Sequence, residues 1–227
     1  MKTIFFDLDD TLYFRQDAFF QAFAAFFKND NKELKKSASD RCRIRGDEVF
    51  YQSQRGIITM QEMYIYRFQT GFSDVGIKLS ASEALEFHAV YKKFLYSMKL
   101  NSEVISMLDF SKSKFNLGII TNGPSEHQRN KIHSLGLEKW INPELIVISG
   151  EYGFDKPEKQ LFKIAEQKSC VRPENLIIIG DSYKNDIISA SELGWHTIWL
   201  NLYDEKLTPP EYTGKNISEI QSILKNF

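Results

Sequence analysis

Ile4-Phe5-Phe6-Asp7-Leu8-Asp9-Asp10-Thr11-Leu12-Tyr13 (IFFDLDDTLY) is the stretch on which the reading of this chain turns. Its first three residues are apolar and read as a short buried strand. Three carboxylates, Asp7, Asp9 and Asp10, crowd the end of that strand, with Thr11 beside them. Like charges at such range resist ionising together. Alone, the stretch fits a strand running into a solvated acidic turn. It fits equally a nucleophilic carboxylate and a partner acid held ionised by a metal.

Past Tyr13 the hydrophobic period becomes helical, with Phe19, Ala22, Phe23, Phe26 and Phe27 forming one stripe. Lys32 to Gln54 is polar and reads as helix, with Gly46 and Gly56 as weak points. Thr59 with Glu62, and Ser80 with Glu83, have capping-box spacing and each opens a further helix. From about residue 100 the pattern alternates. Helices at Ser102–Phe110, from Ser125 toward Gly136, from Pro157 toward Ser169 and up to Gly194 separate strands at Leu117–Thr121, Leu145–Ser149, Leu176–Ile179 and Thr197–Leu200. A short helix around Ile217, Ile220 and Leu224 closes the chain.

Strands alternating with helices predict an α/β fold, a Rossmann-like parallel sheet with helices on both faces. The expected organisation is a catalytic core from residues 1–13 and 100–227, with a helical domain, 14–99, inserted after the first strand. The chain's 227 residues suffice for such a core and insertion.

Composition narrows the function classes. The formal net charge of −1 gives no overall footprint for a nucleic acid polymer. The local cluster Lys32, Lys35, Lys36, Arg41, Arg43 and Arg45 reads as a solvated helix face. Cys42 and Cys170 are in neither a redox nor a zinc spacing and fit reduced thiols. Acids begin at Asp7, where a secretory leader would need an apolar run. The longest apolar run, Ala18–Phe27, is about half a membrane span. The expectation is a cytoplasmic protein with no membrane partner; composition leaves the oligomeric state open.

Ligands in open parallel sheets bind beyond the carboxyl ends of the strands. There the sequence places Asp7 and Asp9, then Thr121, Asn122 and Gly123, then Gly180 and Asp181, with Asp186 beyond and Lys156 before Pro157. The four histidines lack metal-ligand spacing, and no Gly-x-Ser-x-Gly elbow, dinucleotide turn or Walker loop occurs.

In these residues the sequence resembles the haloacid dehalogenase-like hydrolases, in the branch with a helical cap after the first strand. Asp7-Leu8-Asp9-Asp10-Thr11, Thr121 after an apolar strand, Lys156, and Gly180-Asp181 with Asp186 match the family's four motifs in order and context. The resemblance covers roughly residues 1–13 and 100–205; the insertion matches only as a helical segment of suitable size.

The resemblance implies a Mg²⁺-dependent phosphomonoester hydrolase. Asp7 would attack phosphorus and form an aspartyl-phosphate, and Asp9 would act as general acid and then base. Thr121, Asn122 and Lys156 would bind the phosphoryl group. Asp7, the backbone carbonyl of Asp9, and Asp181 would hold the metal, with Asp186 behind them. Thr11 would steady the turn, and Asp10 would face away as a turn residue or solvent contact, with its backbone amide near the phosphate. The Thr121-Asn122-Gly123 turn and long cap are similar to nucleotidase-like members, so the substrate would be a small phosphorylated metabolite such as a 5′-nucleotide. A phosphomutase of the same family, a haloacid dehalogenase and a non-catalytic binding module are the alternatives.

Overall fold

The computed structural model of the protein describes residues 1–208 and 210–227. Among these residues six parallel strands form a single sheet: β1 (Thr3–Phe6), β2 (Asn116–Thr121), β3 (Ile146–Ile148), β4 (Leu176–Gly180), β5 (His196–Leu200) and β6 (Tyr212–Gly214). Their order is β3-β2-β1-β4-β5-β6. The chain leaves β1 toward β2 on one side and later returns to β4 on the other. The carboxyl ends of β1, β2 and β4 therefore flank the point where the winding reverses, the usual crevice for a ligand in this fold. Burial on both faces explains why β1 and β4 read as unbroken apolar runs.

The chain divides into two compact units, Met1–Tyr13 with Lys99–Phe227, and Phe14–Met98. In the first unit, Phe5, Ile120 and Ile178 pack with Leu161, Phe162 and Ala165 of helix α8 (Lys159–Ser169) and with Trp195. Gly118 makes room for this layer, because a Cβ there would lie 2.6 Å from the Phe5 ring. Helices α5 (Ser102–Lys112) and α10 (Ile217–Leu224) pack against each other.

The second unit is helical: α1 (Arg15–Phe27), α2 (Lys32–Gln54), α3 (Met60–Ser73) and α4 (Ala81–Leu95). Both expected capping boxes are present, Thr59 with Glu62 and Ser80 with Glu83. The phenylalanine stripe forms an aromatic core in which Phe19, Phe23, Phe72 and Phe87 have ring centroids 4.8–6.4 Å apart. Gly46 does not interrupt α2, and Gly56, at φ 69°, lies beyond its end. Four of the six residues of the basic cluster pair with nearby acids, Lys35 with Asp30, Lys36 with Asp40, Arg43 with Asp47, and Arg45 with Glu48 and Asp74. Among the described residues no helix is long and apolar enough to cross a membrane.

Three local expectations need correction. Pro157 does not open a helix; it follows a cis peptide bond in a turn, and α8 begins at Lys159 after Glu158. Ser125, expected from the sequence as the N-cap of its helix, is instead the first residue of α6 (Ser125–Ser134), and the cap is Pro124. Asp10 does not face solvent but is buried in the left-handed region at φ 59°, which lets the chain turn immediately after Asp9.

Candidate active site

Asp7 directly follows β1, and its backbone N–H extends the ladder to Ile179 at 2.8 Å. Its carboxylate is buried and accepts a 2.6 Å hydrogen bond from Lys156 Nζ. Lys156 is itself buried and donates also to Asp186 at 2.6 Å and to the Ile120 carbonyl at 2.9 Å. One ammonium thus spans two carboxylates and the end of β2. Burial pushes Asp7 up to about 7 against the pull of Lys156, with Asp186 and Asp9 adding to the rise. Burial also opposes the charge on Lys156, but attraction and hydrogen bonds from Asp186 and Asp7 outweigh it and hold the ammonium above its ordinary range.

The peptide of Lys156 is fixed by Asn122, whose Oδ1 accepts from the Lys156 N–H at 2.7 Å while its Nδ2 donates to the Lys156 carbonyl at 2.8 Å. The loop after β2 thereby sets the height of the lysine that enters beneath it. Thr121 is buried at the end of β2. Gly123, at φ 136°, follows in a conformation side chains avoid and donates its N–H to Ser149 Oγ, at the start of the short helix α7 (Ser149–Tyr152), at 2.9 Å.

Beyond β4 the chain makes one π-helical turn, Tyr183–Ile187, before helix α9 (Ile188–Glu192). Such turns recur at functional sites. This one carries Asp186 back toward the sheet, where its second oxygen accepts the Ser182 N–H at 3.0 Å. Gly180 is required beneath it, since a Cβ there would overlap the Asp186 carboxylate. The peptides on either side of Asp181 are pinned from both sides. The Asp181 N–H donates to Thr11 Oγ1 at 3.1 Å, and its carbonyl accepts from Trp199 Nε1 of β5 at 2.8 Å. Thr11 is therefore a strut between the loops after β1 and β4.

Asp7, Asp181 and Asp186 each offer a carboxylate oxygen within 4.8 Å of the others. An all-oxygen set fits a hard divalent cation, which would favour the ionised form of Asp7 against the burial, and then the Asp186 and Asp9 charges, that raise it. Both oxygens of Asp186 accept hydrogen bonds, one from Lys156 Nζ and one from the Ser182 N–H. No histidine joins a metal-competent group among the described residues. His133 and His196 pair with Glu138 and Glu211, and His88 stacks on Tyr64 at 3.6 Å.

Asp9 lies in a cradle that sequence reasoning missed. Both its oxygens accept from Lys131 Nζ, at 2.7 and 2.9 Å, and Oδ2 also accepts from Gln128 Nε2 at 2.9 Å. The Tyr13 hydroxyl donates to Oδ1. Gln128 and Lys131 stand three apart on α6 and are almost fully buried. Their spacing on one helix face was the only available signal, and on so polar a helix it reads as surface.

A family model for haloacid dehalogenase-like hydrolases matches residues 4–200. The chain belongs to the haloacid dehalogenase-like hydrolase family. Among relatives of this hydrolase is the glyceraldehyde 3-phosphate phosphatase of Methanothermobacter thermautotrophicus, 27% identical over 98% of this chain and 96% of the relative. The pyrimidine 5′-nucleotidase YjjG of Escherichia coli is 31% identical over 53% of this chain and 54% of its own. The solved structure of the HAD-hydrolase YfnB from Bacillus subtilis, bound to magnesium, superposes with a TM-score of 0.75 at 25% identity, covering 98% of each chain.

Proposed function

We propose that this hydrolase is a Mg²⁺-dependent phosphomonoesterase acting through an aspartyl-phosphate on a small phosphorylated metabolite. The observation that carries the reading is buried Asp7, bonded to Lys156 at 2.6 Å and grouped with Asp181 and Asp186. A carboxylate so placed at a strand end is a poor structural element and a suitable nucleophile. Two relatives, the glyceraldehyde 3-phosphate phosphatase and the pyrimidine 5′-nucleotidase, carry names for cleavage of small phosphate esters, which supports the substrate class.

In the first step an Asp7 oxygen bonds to phosphorus and the ester P–O bond breaks. Asp9 gives its proton to the departing alkoxide. In the second step Asp9 takes a proton from water, the water oxygen bonds to phosphorus, and the aspartyl P–O bond breaks to regenerate Asp7 and release phosphate. Lys156 offsets charge on Asp7 and on the phosphoryl oxygens, and the Thr121 hydroxyl and Asn122 backbone bind those oxygens. Mg²⁺, held by Asp7, the Asp9 carbonyl and Asp181, would supply further charge neutralisation at the phosphoryl group. Residues 1–13 and 100–227 serve as the catalytic core, and residues 14–99 act as a cap domain that selects the substrate. The free thiols Cys42 and Cys170 support a cytoplasmic site of action.

Phosphate release from 4-nitrophenyl phosphate should require Mg²⁺, and Asp7→Asn should lower it by a factor on the order of 10³ or more. Turnover at the wild-type rate in Asp7→Asn, or in excess chelator, would refute the mechanism. A panel of nucleoside monophosphates, sugar phosphates and phosphoglycolate identifies the substrate, with a 5′-nucleotide the first to try.

A further inference from the structure

We propose that Lys131 and Gln128 are positioning residues that aim the Asp9 carboxylate and tie it to the phosphate-binding hydroxyl of Thr121. The inference rests on the acid–base role proposed for Asp9.

Asp9 lies in a loop, and rotation about its side-chain bonds would carry its oxygens away from any leaving group. Three donors restrict that rotation. Tyr13 reaches back from the end of the same turn, which is closed by the Leu12 N–H to Leu8 carbonyl bond at 3.1 Å. Lys131 bridges both carboxylate oxygens, and Gln128 adds a donor on Oδ2. Neither α6 residue is a surface group caught by chance, with Gln128 at 1% and Lys131 at 4% exposure. Burial of an ammonium is weak evidence for stability, because desolvation cancels most of the attraction. A fixed carboxylate direction is the better account of this pair.

Gln128 links the two halves of the chemistry. Its Nε2 lies 2.9 Å from Asp9 Oδ2, 2.6 Å from Thr121 Oγ1 and 2.8 Å from the Asn122 carbonyl. A hydroxyl that accepts from an amide keeps its own proton for another acceptor. Gln128 therefore turns Thr121 into a donor toward a phosphoryl oxygen while it steadies the group that protonates the leaving oxygen. Gly123 packs against this amide, where a Cβ would lie 3.3 Å from the Gln128 side chain. Among the described residues the buried Gln128 Oε1 finds no hydrogen-bond partner, so the amide is held by what its nitrogen reaches.

The test compares 4-nitrophenyl phosphate with phenyl phosphate, which are alike in shape while phenolate is much the poorer leaving group. Asp9→Asn should slow phenyl phosphate far more than 4-nitrophenyl phosphate. Lys131→Met should reproduce that asymmetry in kcat, with a loss of about 10- to 100-fold on phenyl phosphate and only a few-fold on the nitro compound. Its KM should change little, and Lys131→Arg should recover part of the loss. Gln128→Met should show the same asymmetry together with a raised KM, and it serves if Lys131→Met does not fold. Equal losses on both substrates for the Lys131 and Gln128 variants, with Asp9→Asn still discriminating, would overturn this inference and leave the role of Asp9 intact. If Asp9→Asn itself fails to discriminate, the acid–base assignment falls and the inference with it.

Discussion

Replacing Lys156 by Met should destabilise the core by an amount that the buried charges determine. Lys156 is 2% exposed and bonded at 2.6 Å to both Asp7 and Asp186, of which Asp186 is 1% exposed. Methionine fills the volume, so the loss is electrostatic. Stripping one partner from a buried ion pair typically costs about 3–5 kcal/mol. Here one carboxylate has an escape, because Asp7 already sits at about 7 and without the ammonium it binds a proton at neutral pH. The remaining charge on Asp186 keeps the Ser182 N–H as a donor. The expected cost is therefore near the lower limit, about 3 kcal/mol, or a fall of about 1–2 M in urea midpoint for an m-value near 2 kcal/mol/M. Tryptophan emission is the assay, because Trp140, Trp195 and Trp199 all lie buried in the core unit and its signal reports that unit alone. Adding Asp186→Asn to Lys156→Met should restore most of the loss. A single variant within about 1 kcal/mol of wild type, or a double variant that loses still more, would refute the electrostatic reasoning.

Trp199→Phe removes the donor on the Asp181 carbonyl, and Mg²⁺ affinity measured by calorimetry should fall about 10-fold while the fold is kept. His88 is held down at about 4 by burial first and then by Arg67 and Lys92, so the unfolded chain binds the extra proton between that value and the ordinary 6.5. Its contribution to stability is complete above pH 6.5 and is lost as pH falls toward 4, by about 3 kcal/mol in all; the dependence of urea midpoints on pH across that window should flatten in His88→Gln. Gly71→Ala would place a Cβ 2.6 Å from the Cys42 Cα, where α2 and α3 cross, and should cost about 1–3 kcal/mol in circular dichroism melts of the helical unit.

The repeating parts of this molecule were legible because they depend on local period and chemistry. Apolar runs at 117–121, 176–179 and 197–200 became β2, β4 and β5 within a residue or so, and both capping boxes closed on their glutamates. Strand β6 was invisible, because three residues, Tyr-Thr-Gly, show no alternation and owe their conformation to pairing with β5. The turn before α8 misled for a related reason. Proline before a helix usually marks its first residue, whereas here Asn122 grips the preceding Lys156 peptide and delays the start. Asp7, Lys156 and Asp181 announce themselves by type and order. Lys131 and Gln128 do not, since what makes them unusual is a carboxylate more than a hundred residues away in sequence.

Strand β1 lies between β2 and β4, and both follow the helical unit in sequence. On the ribosome, Thr3–Phe6 emerges long before Asn116 and longer still before Leu176, its two register partners. In the interval Phe14–Met98, a compact unit whose helices pack on one another, has everything needed to fold, while the strand behind it waits with both edges bare. Asp7 is thus translated early and armed late. A nascent chain halted before Lys156 carries the Asp7 carboxylate with neither the cation beside it nor β4 on the second edge of β1, so the chemistry proposed for Asp7 waits on the last third of the chain.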